Sequence, residues 1–121
     1  MNNSVLIIED ELLIAELVKI NLKMRGINCN VANTGQEGIE MFESQNPLIV
    51  LLDVRLPDTD GWDVCKKIKQ KNPGSIVIFM TAATQVKDRE MAKLVGADDF
   101  IEKPFDISNL ISMINRYRLS E

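Results

Sequence analysis

Residues 48–53 read LIVLLD, five consecutive apolar side chains followed by an acid. A half-exposed strand alternates apolar and polar positions. This run is apolar on both alternate sets, so it reads as a central strand covered on both faces. Asn46-Pro47 breaks the chain ahead of it. Behind Asp53, Pro57 and Gly61 mark a loop that feeds a helix over residues 62–71, closed by Asn72-Pro73-Gly74.

Outward from this unit the same rhythm repeats. Residues 4–8 form a short β-branched run that stops abruptly at Glu9-Asp10-Glu11. Apolar residues then recur at helical spacing at Leu13, Ile14, Leu17, Val18, Ile20 and Leu22, until Gly26 ends the helix. Residues 28–32 read as a second strand, and Thr34 caps a helix to about residue 43 with Ile39 and Phe42 inward. Residues 75–80 are strand four, residues 86–95 a helix stopped by Gly96, and residues 98–102 strand five. Residues 107–119 form a last helix with Ile107, Leu110, Ile111 and Ile114 inward. Strict strand–helix alternation requires parallel strands joined by right-handed crossovers, with helices on both faces. The expected fold is a doubly wound α/β sandwich with a five-stranded parallel sheet, (βα)5, as one domain over residues 1–121.

A chain of 121 residues that is 45% hydrophobic is sized for a single core. The net charge is −4 and the 14 basic residues are dispersed, so direct nucleic-acid binding is not expected. The apolar runs are strand-length, far short of the ~20 residues of a membrane span. Met1-Asn2-Asn3-Ser4 lacks the basic flank and apolar region of a signal peptide. A cytoplasmic location with no membrane partner is expected. Cys29 and Cys65 lack zinc-site spacing and read as reduced thiols. The absence of histidine leaves chemistry to carboxylates, hydroxyls and lysine.

In such a sheet, functional groups gather beyond the carboxyl ends of the strands. Those ends carry Glu9 and Asp10, Asp53, Thr81 and Lys103. Three crowded carboxylates repel one another, and a divalent cation with oxygen ligands, best Mg2+, relieves that repulsion. Asp53, at the end of the most buried strand, is the acid best placed as a nucleophile that forms an aspartyl phosphate. Thr81 and Lys103 are the catalytic partners: the hydroxyl donates to one phosphoryl oxygen and the ammonium pairs with another. Ala82 and Ala83 are small, leaving backbone beside the phosphate accessible.

These motifs together resemble the receiver domains of two-component response regulators. The resemblance rests on Glu9-Asp10, Asp53, Leu56-Pro57-Asp58 with Asp60-Gly61, Thr81-Ala82, Gly96-Ala97-Asp98-Asp99 and Lys103-Pro104-Phe105. It covers essentially the whole chain. It implies a flavodoxin-like strand order 2-1-3-4-5 and phosphorylation of Asp53 by a histidine kinase or histidine phosphotransfer protein. It also implies a Mg2+ site built from Glu9, Asp10, Asp53 and the backbone carbonyl of Arg55, and a cis Lys103–Pro104 bond. Thr81 and Phe100 would form the switch pair that shifts the face made by helix four, strand five and helix five. No enzymatic turnover is expected beyond self-phosphorylation from a donor and autodephosphorylation.

In the winged-helix DNA-binding subfamily of receivers, activation forms a charge-matched dimer through that face. Arg89, Asp98 and Asp99 fit the pattern, whereas Asn109, Met113 and Asn115 stand where the subfamily has an acid and two bases. A monomer or weak dimer is therefore expected. Residues 103–107 are similar to single-domain phosphorelay intermediates, which favours a free-standing receiver acting on a separate output partner. The alternative is a receiver fragment of a larger DNA-binding transcription regulator. The first helix has a wide apolar stripe, read as mostly core, with Leu13 and Ile14 positioned to dock a kinase or phosphotransfer helix. A flavin carrier would need a phosphate cradle where Glu9-Asp10-Glu11 stands. An aspartyl phosphatase typically has a second Asp two residues past its nucleophile, where this chain has Arg55.

Overall fold

The structure is a computed structural model that describes residues 2–82 and 86–119. Five strands and five helices alternate: β1 (Asn2–Ile8), α1 (Leu12–Met24), β2 (Cys29–Ala32), α2 (Gly35–Gln45), β3 (Pro47–Asp53), α3 (Gly61–Lys71), β4 (Ile76–Thr81), α4 (Val86–Leu94), β5 (Asp99–Glu102) and α5 (Ile107–Leu119). The strands are parallel and lie in the order β2-β1-β3-β4-β5. All seven residues of β3 are buried, as its unbroken apolar run requires.

Side chains alternate across the sheet, so each strand feeds two cores. On one face Val5, Ile7, Leu51 and Met80 meet Val18 and Leu22 of α1 and Leu110 and Ile114 of α5. On the other, Leu6, Ile8, Leu52 and Phe79 meet Phe42 of α2, Val64 and Ile68 of α3, and Ala92 of α4. The expected element ends shift by one to three residues at several places. The extended backbone of β3 starts at Pro47 and ends on Asp53 itself, and α3 begins at Gly61, capped by the Asp60 carboxylate, which accepts from Asp63 N at 2.9 Å. Gly26 (φ 74°) and Gly96 (φ 85°) close α1 and α4 in the left-handed region. Asn46 does the same for α2 at φ 47°, a conformation that asparagine tolerates better than most residues.

The α1 stripe is not mostly core: only Ala15, Val18 and Leu22 are buried in that helix, while Leu12, Leu13, Leu17, Ile20 and Met24 are exposed. Because α1 shares its face of the sheet with α5, a single line of its side chains reaches the strands. Ile14 packs toward the core and Leu13 points away from it, so the two expected docking residues lie on different faces. Among the described residues, no helix is long and apolar enough to cross a membrane.

Candidate functional site

Parallel strands bring their carboxyl ends to one edge, and the register sets what meets there. Asp53 is the last residue of β3 and lies level with Met80, one position short of Thr81, the last residue of β4. Thr81 lies opposite Glu102 of β5, and the next backbone N–H, that of Lys103, donates to Thr81 O at 2.7 Å. Glu9 follows β1 directly. Asp10, Glu11, Asp53, Arg55, Thr81, Ala82 and Lys103 line one cavity of about 280 Å³. Ala83 lies outside the described residues.

At the floor of this cavity, Lys103 Nζ donates to Glu9 Oε1 at 2.5 Å and to Asp53 Oδ2 at 3.3 Å. Glu9 is fully buried, and Asp53 and Thr81 nearly so. Burial, a hydrogen bond shared with Asp53 and the Asp53 charge raise Glu9 to about pKa 7, against the opposing pull of Lys103 and of the Glu11 N–H. Burial would depress Lys103, but its hydrogen bond to Glu9 and the charges of Asp53, Glu9 and Glu11 outweigh this and raise its pKa. The ammonium therefore stays charged while Glu9 resists ionisation. Carboxylate oxygens of Glu9, Asp10 and Asp53 lie within 4.8 Å of one another, an all-oxygen donor set of the hardness Mg2+ prefers. The Lys103–Pro104 bond is cis.

The loop after Asp53 is held from two sides. Gly61 N donates to Val54 O at 2.5 Å, and a Cβ on Gly61 would stand 2.3 Å from the Asp53 carbonyl oxygen, so only glycine permits this approach. Asp58 accepts from Gly35 N at 2.8 Å and Gln36 N at 2.9 Å, placing its carboxylate at the start of α2. Those two donors hold Asp58 below the ordinary carboxylate pKa. The sequence reading gave Asp58 no structural role and Glu11 no place in the site. Glu11 Oε1 lies 3.9 Å from Lys103 Nζ, and its N–H donates to Glu9 Oε2 at 3.2 Å. Its position in the acidic run was the available signal, whereas Asp58 had none, because its partner helix lies 22 residues back in the chain.

On the neighbouring face Phe100 is half-buried, with the Arg89 guanidinium 5.4 Å from its ring centroid. Arg89 also pairs with Glu102 at 2.8 Å. Asp98 Oδ2 accepts from Lys69 Nζ at 2.7 Å and Val77 N at 2.8 Å, and Asp99 Oδ2 accepts from Tyr117 OH at 3.1 Å. The three charges matched above to a dimer pattern are thus engaged within the chain.

The sequence model of the response regulator receiver domain matches residues 5–115. A probable transcriptional regulatory protein of Mycobacterium tuberculosis, TcrX, is 39% identical over 108 residues, which are 89% of this chain and 46% of that protein. The chain thus spans less than half the length of this curated relative. A CheY-like receiver domain protein from Methanospirillum hungatei superposes with TM-score 0.93 at 26% identity, covering 99% of this chain and 96% of that one. The BeF3-activated DrrB receiver domain superposes with TM-score 0.90 at 26% identity over 100% of both chains.

Proposed function

Given that the chain belongs to the response regulator receiver family, we propose that it is a switch in which Asp53 accepts a phosphoryl group from a phosphohistidine on a kinase or phosphotransfer protein. The observation that carries this reading is the position of Lys103 Nζ, bridging buried Glu9 and Asp53 at the floor of a cavity that also presents Asp10 and the Thr81 hydroxyl. An Asp53 carboxylate oxygen attacks phosphorus, the phosphorus–nitrogen bond breaks, and the donor histidine leaves with its bonding pair. Lys103 is within reach of a phosphoryl oxygen on Asp53, and the Thr81 Oγ1–H donates to another. The Ala82 backbone serves a third. Glu9, Asp10, Asp53 and the Arg55 carbonyl would hold Mg2+, which when bound neutralises the charge gathered by carboxylates and phosphoryl group. The chain turns over no separate substrate in this reading, and it works in the cytoplasm.

The donor is read as helical. Leu13, Leu17, Ile20 and Met24 are all exposed and follow one another at i, i+4, i+7 and i+11, a single apolar seam beginning beside the acidic loop. This spacing fits a partner helix laid along α1. For output, the similarity to TcrX favours the second reading, a receiver module of a transcription regulator whose DNA contacts lie elsewhere, over a free-standing receiver.

The test is to incubate the wild type and Asp53→Ala with acetyl phosphate, with and without Mg2+, and to read phosphoryl addition by intact mass. One phosphoryl group on the wild type with Mg2+ alone is expected. Addition to Asp53→Ala, or equal addition without Mg2+, contradicts the reading.

A further inference from the structure

Arg89 occupies a position whose contacts run in two directions. Its guanidinium carbon lies 5.4 Å from the Phe100 ring centroid, and its Nη2 pairs with Glu102 Oε1 at 2.8 Å. Phe100 and Glu102 are two residues apart on β5, so their side chains leave the same face of the sheet, the face that α4 covers. One side chain of α4 therefore grips two successive positions of an edge strand.

That strand also leads directly into the site. Glu102 lies directly opposite Thr81 in the β4–β5 register, and Lys103, whose ammonium reaches Glu9 and Asp53, is the next residue. Phe100 lies opposite Phe79, whose ring meets that of Trp62 at 4.8 Å between centroids. A movement of Phe100 is thus linked by packing to the lone tryptophan, and a movement of Glu102 to the Thr81 and Lys103 backbone.

Resting on the phosphorylation reading above, we propose that Arg89 is a positioning residue, a clasp from α4 to β5 that stabilises the half-exposed arrangement of Phe100 and thereby sets the resting state against which phosphorylation must work. The stacking contact exists only while the ring face is turned to α4, and the ion pair only while Glu102 keeps its present side-chain direction. A state in which Phe100 turns inward toward Thr81 loses the stacking contact. The clasp therefore has the differential interaction with two states that any shift of equilibrium requires. Arg89 and Glu102 are both solvent-accessible, with side chains 54% and 37% exposed, so the bias is modest.

The experiment titrates beryllofluoride at saturating Mg2+ into the wild type, Arg89→Ala, Arg89→Lys, Glu102→Gln and the Arg89→Ala/Glu102→Gln double variant, following Trp62 fluorescence. Removing the clasp is expected to lower the half-saturating concentration by about twofold to fivefold. Arg89→Lys, which keeps the charge and loses the planar stack, should fall between wild type and alanine. The double variant should match Arg89→Ala alone, since both changes act through one clasp. In resting protein without beryllofluoride, a fluorine-labelled Phe100 should change its resonance in Arg89→Ala, while thermal unfolding stays within a few degrees of wild type. An unchanged or raised midpoint in Arg89→Ala, or additive effects in the double variant, overturns the clasp while leaving the phosphoacceptor intact. A wild type that binds no beryllofluoride overturns both readings, and is recognised by the absence of any titration.

Discussion

Glu9 and Lys103, ninety-four residues apart in the chain, meet at 2.5 Å, and the carboxylate in that pair is fully buried beside a second carboxylate, Asp53. Burial and Asp53 lift Glu9 from its ordinary 4.5 to about 7, so between these values the folded protein holds a proton that the unfolded chain has released. Stability of the metal-free protein should therefore decline as pH rises from about 4.5 to 7, by at most ~1.4 kcal/mol per pH unit, and level off above. Asp58, shifted the other way, loses its contribution only as pH falls below the ordinary 3.8, outside this window. Urea unfolding in a chelator-containing buffer across pH 4.5 to 8 measures the slope. Glu9→Gln should flatten it, and an equal slope in that variant would show that another group titrates.

Arg55 lines the cavity mouth, and its backbone N–H donates to Asp53 Oδ1 at 3.3 Å. In the proposed function its side chain would obstruct or orient the water that hydrolyses the acyl phosphate. Arg55→Ala should change the autodephosphorylation rate severalfold, with Mg2+ affinity nearly constant because the ligand proposed there is a backbone carbonyl. The decay of phosphoprotein after removal of acetyl phosphate gives the rate, and Mg2+ titration of Trp62 fluorescence gives the affinity.

In the proposed function the exposed seam on α1 separates partner recognition from chemistry. Leu17→Glu places a charge in the middle of that seam without touching the buried line of Ala15, Val18 and Leu22. Phosphorylation by acetyl phosphate should stay within twofold of wild type, while transfer from a phosphohistidine donor protein falls at least tenfold. Equal loss with both donors would place the defect in the active site.

Asp98 is committed to Lys69 and to the Val77 N–H, two groups on α3 and β4. Asp98→Ala leaves a strand amide without this acceptor and takes the charged partner from the partly buried Lys69 ammonium, which keeps its hydrogen bond to the Ser75 carbonyl at 2.5 Å. The variant should lose about 1–3 kcal/mol of stability in denaturant unfolding. Sedimentation of the phosphorylated protein should not change with this substitution, as it would if Asp98 paired across a dimer.

The layered architecture and the gathering of Glu9, Asp53, Thr81 and Lys103 at one sheet edge were legible in the sequence, and the reason is specific. The run 48–53 is apolar at every position, which only a doubly covered strand tolerates, and strand–helix alternation with one crossover hand leaves few topologies. Once strands are parallel, their final residues share an edge, so Glu9, Asp53, Thr81 and Lys103 converge whatever the helices do in detail. Helix α1 was misread because periodicity reports that a helix is amphipathic without reporting how wide a face its neighbours leave to cover. Leu12, Leu13, Leu17, Ile20 and Met24 stay exposed because α5 occupies the adjoining part of the sheet.

The sequence by itself determined the order of elements, the chemical type of residue at each strand end and the edge where they meet, because these follow from local periodicity and chain connectivity. The tertiary structure alone decided which charges pair. Lys103 takes Glu9 more closely than Asp53, Asp98 takes Lys69, Asp58 takes the first N–H groups of α2 beside its Thr34 cap, and Arg89 closes over Phe100 and Glu102. Such choices depend on distances of a few ångströms between residues far apart in the chain, and no spacing within one element encodes them.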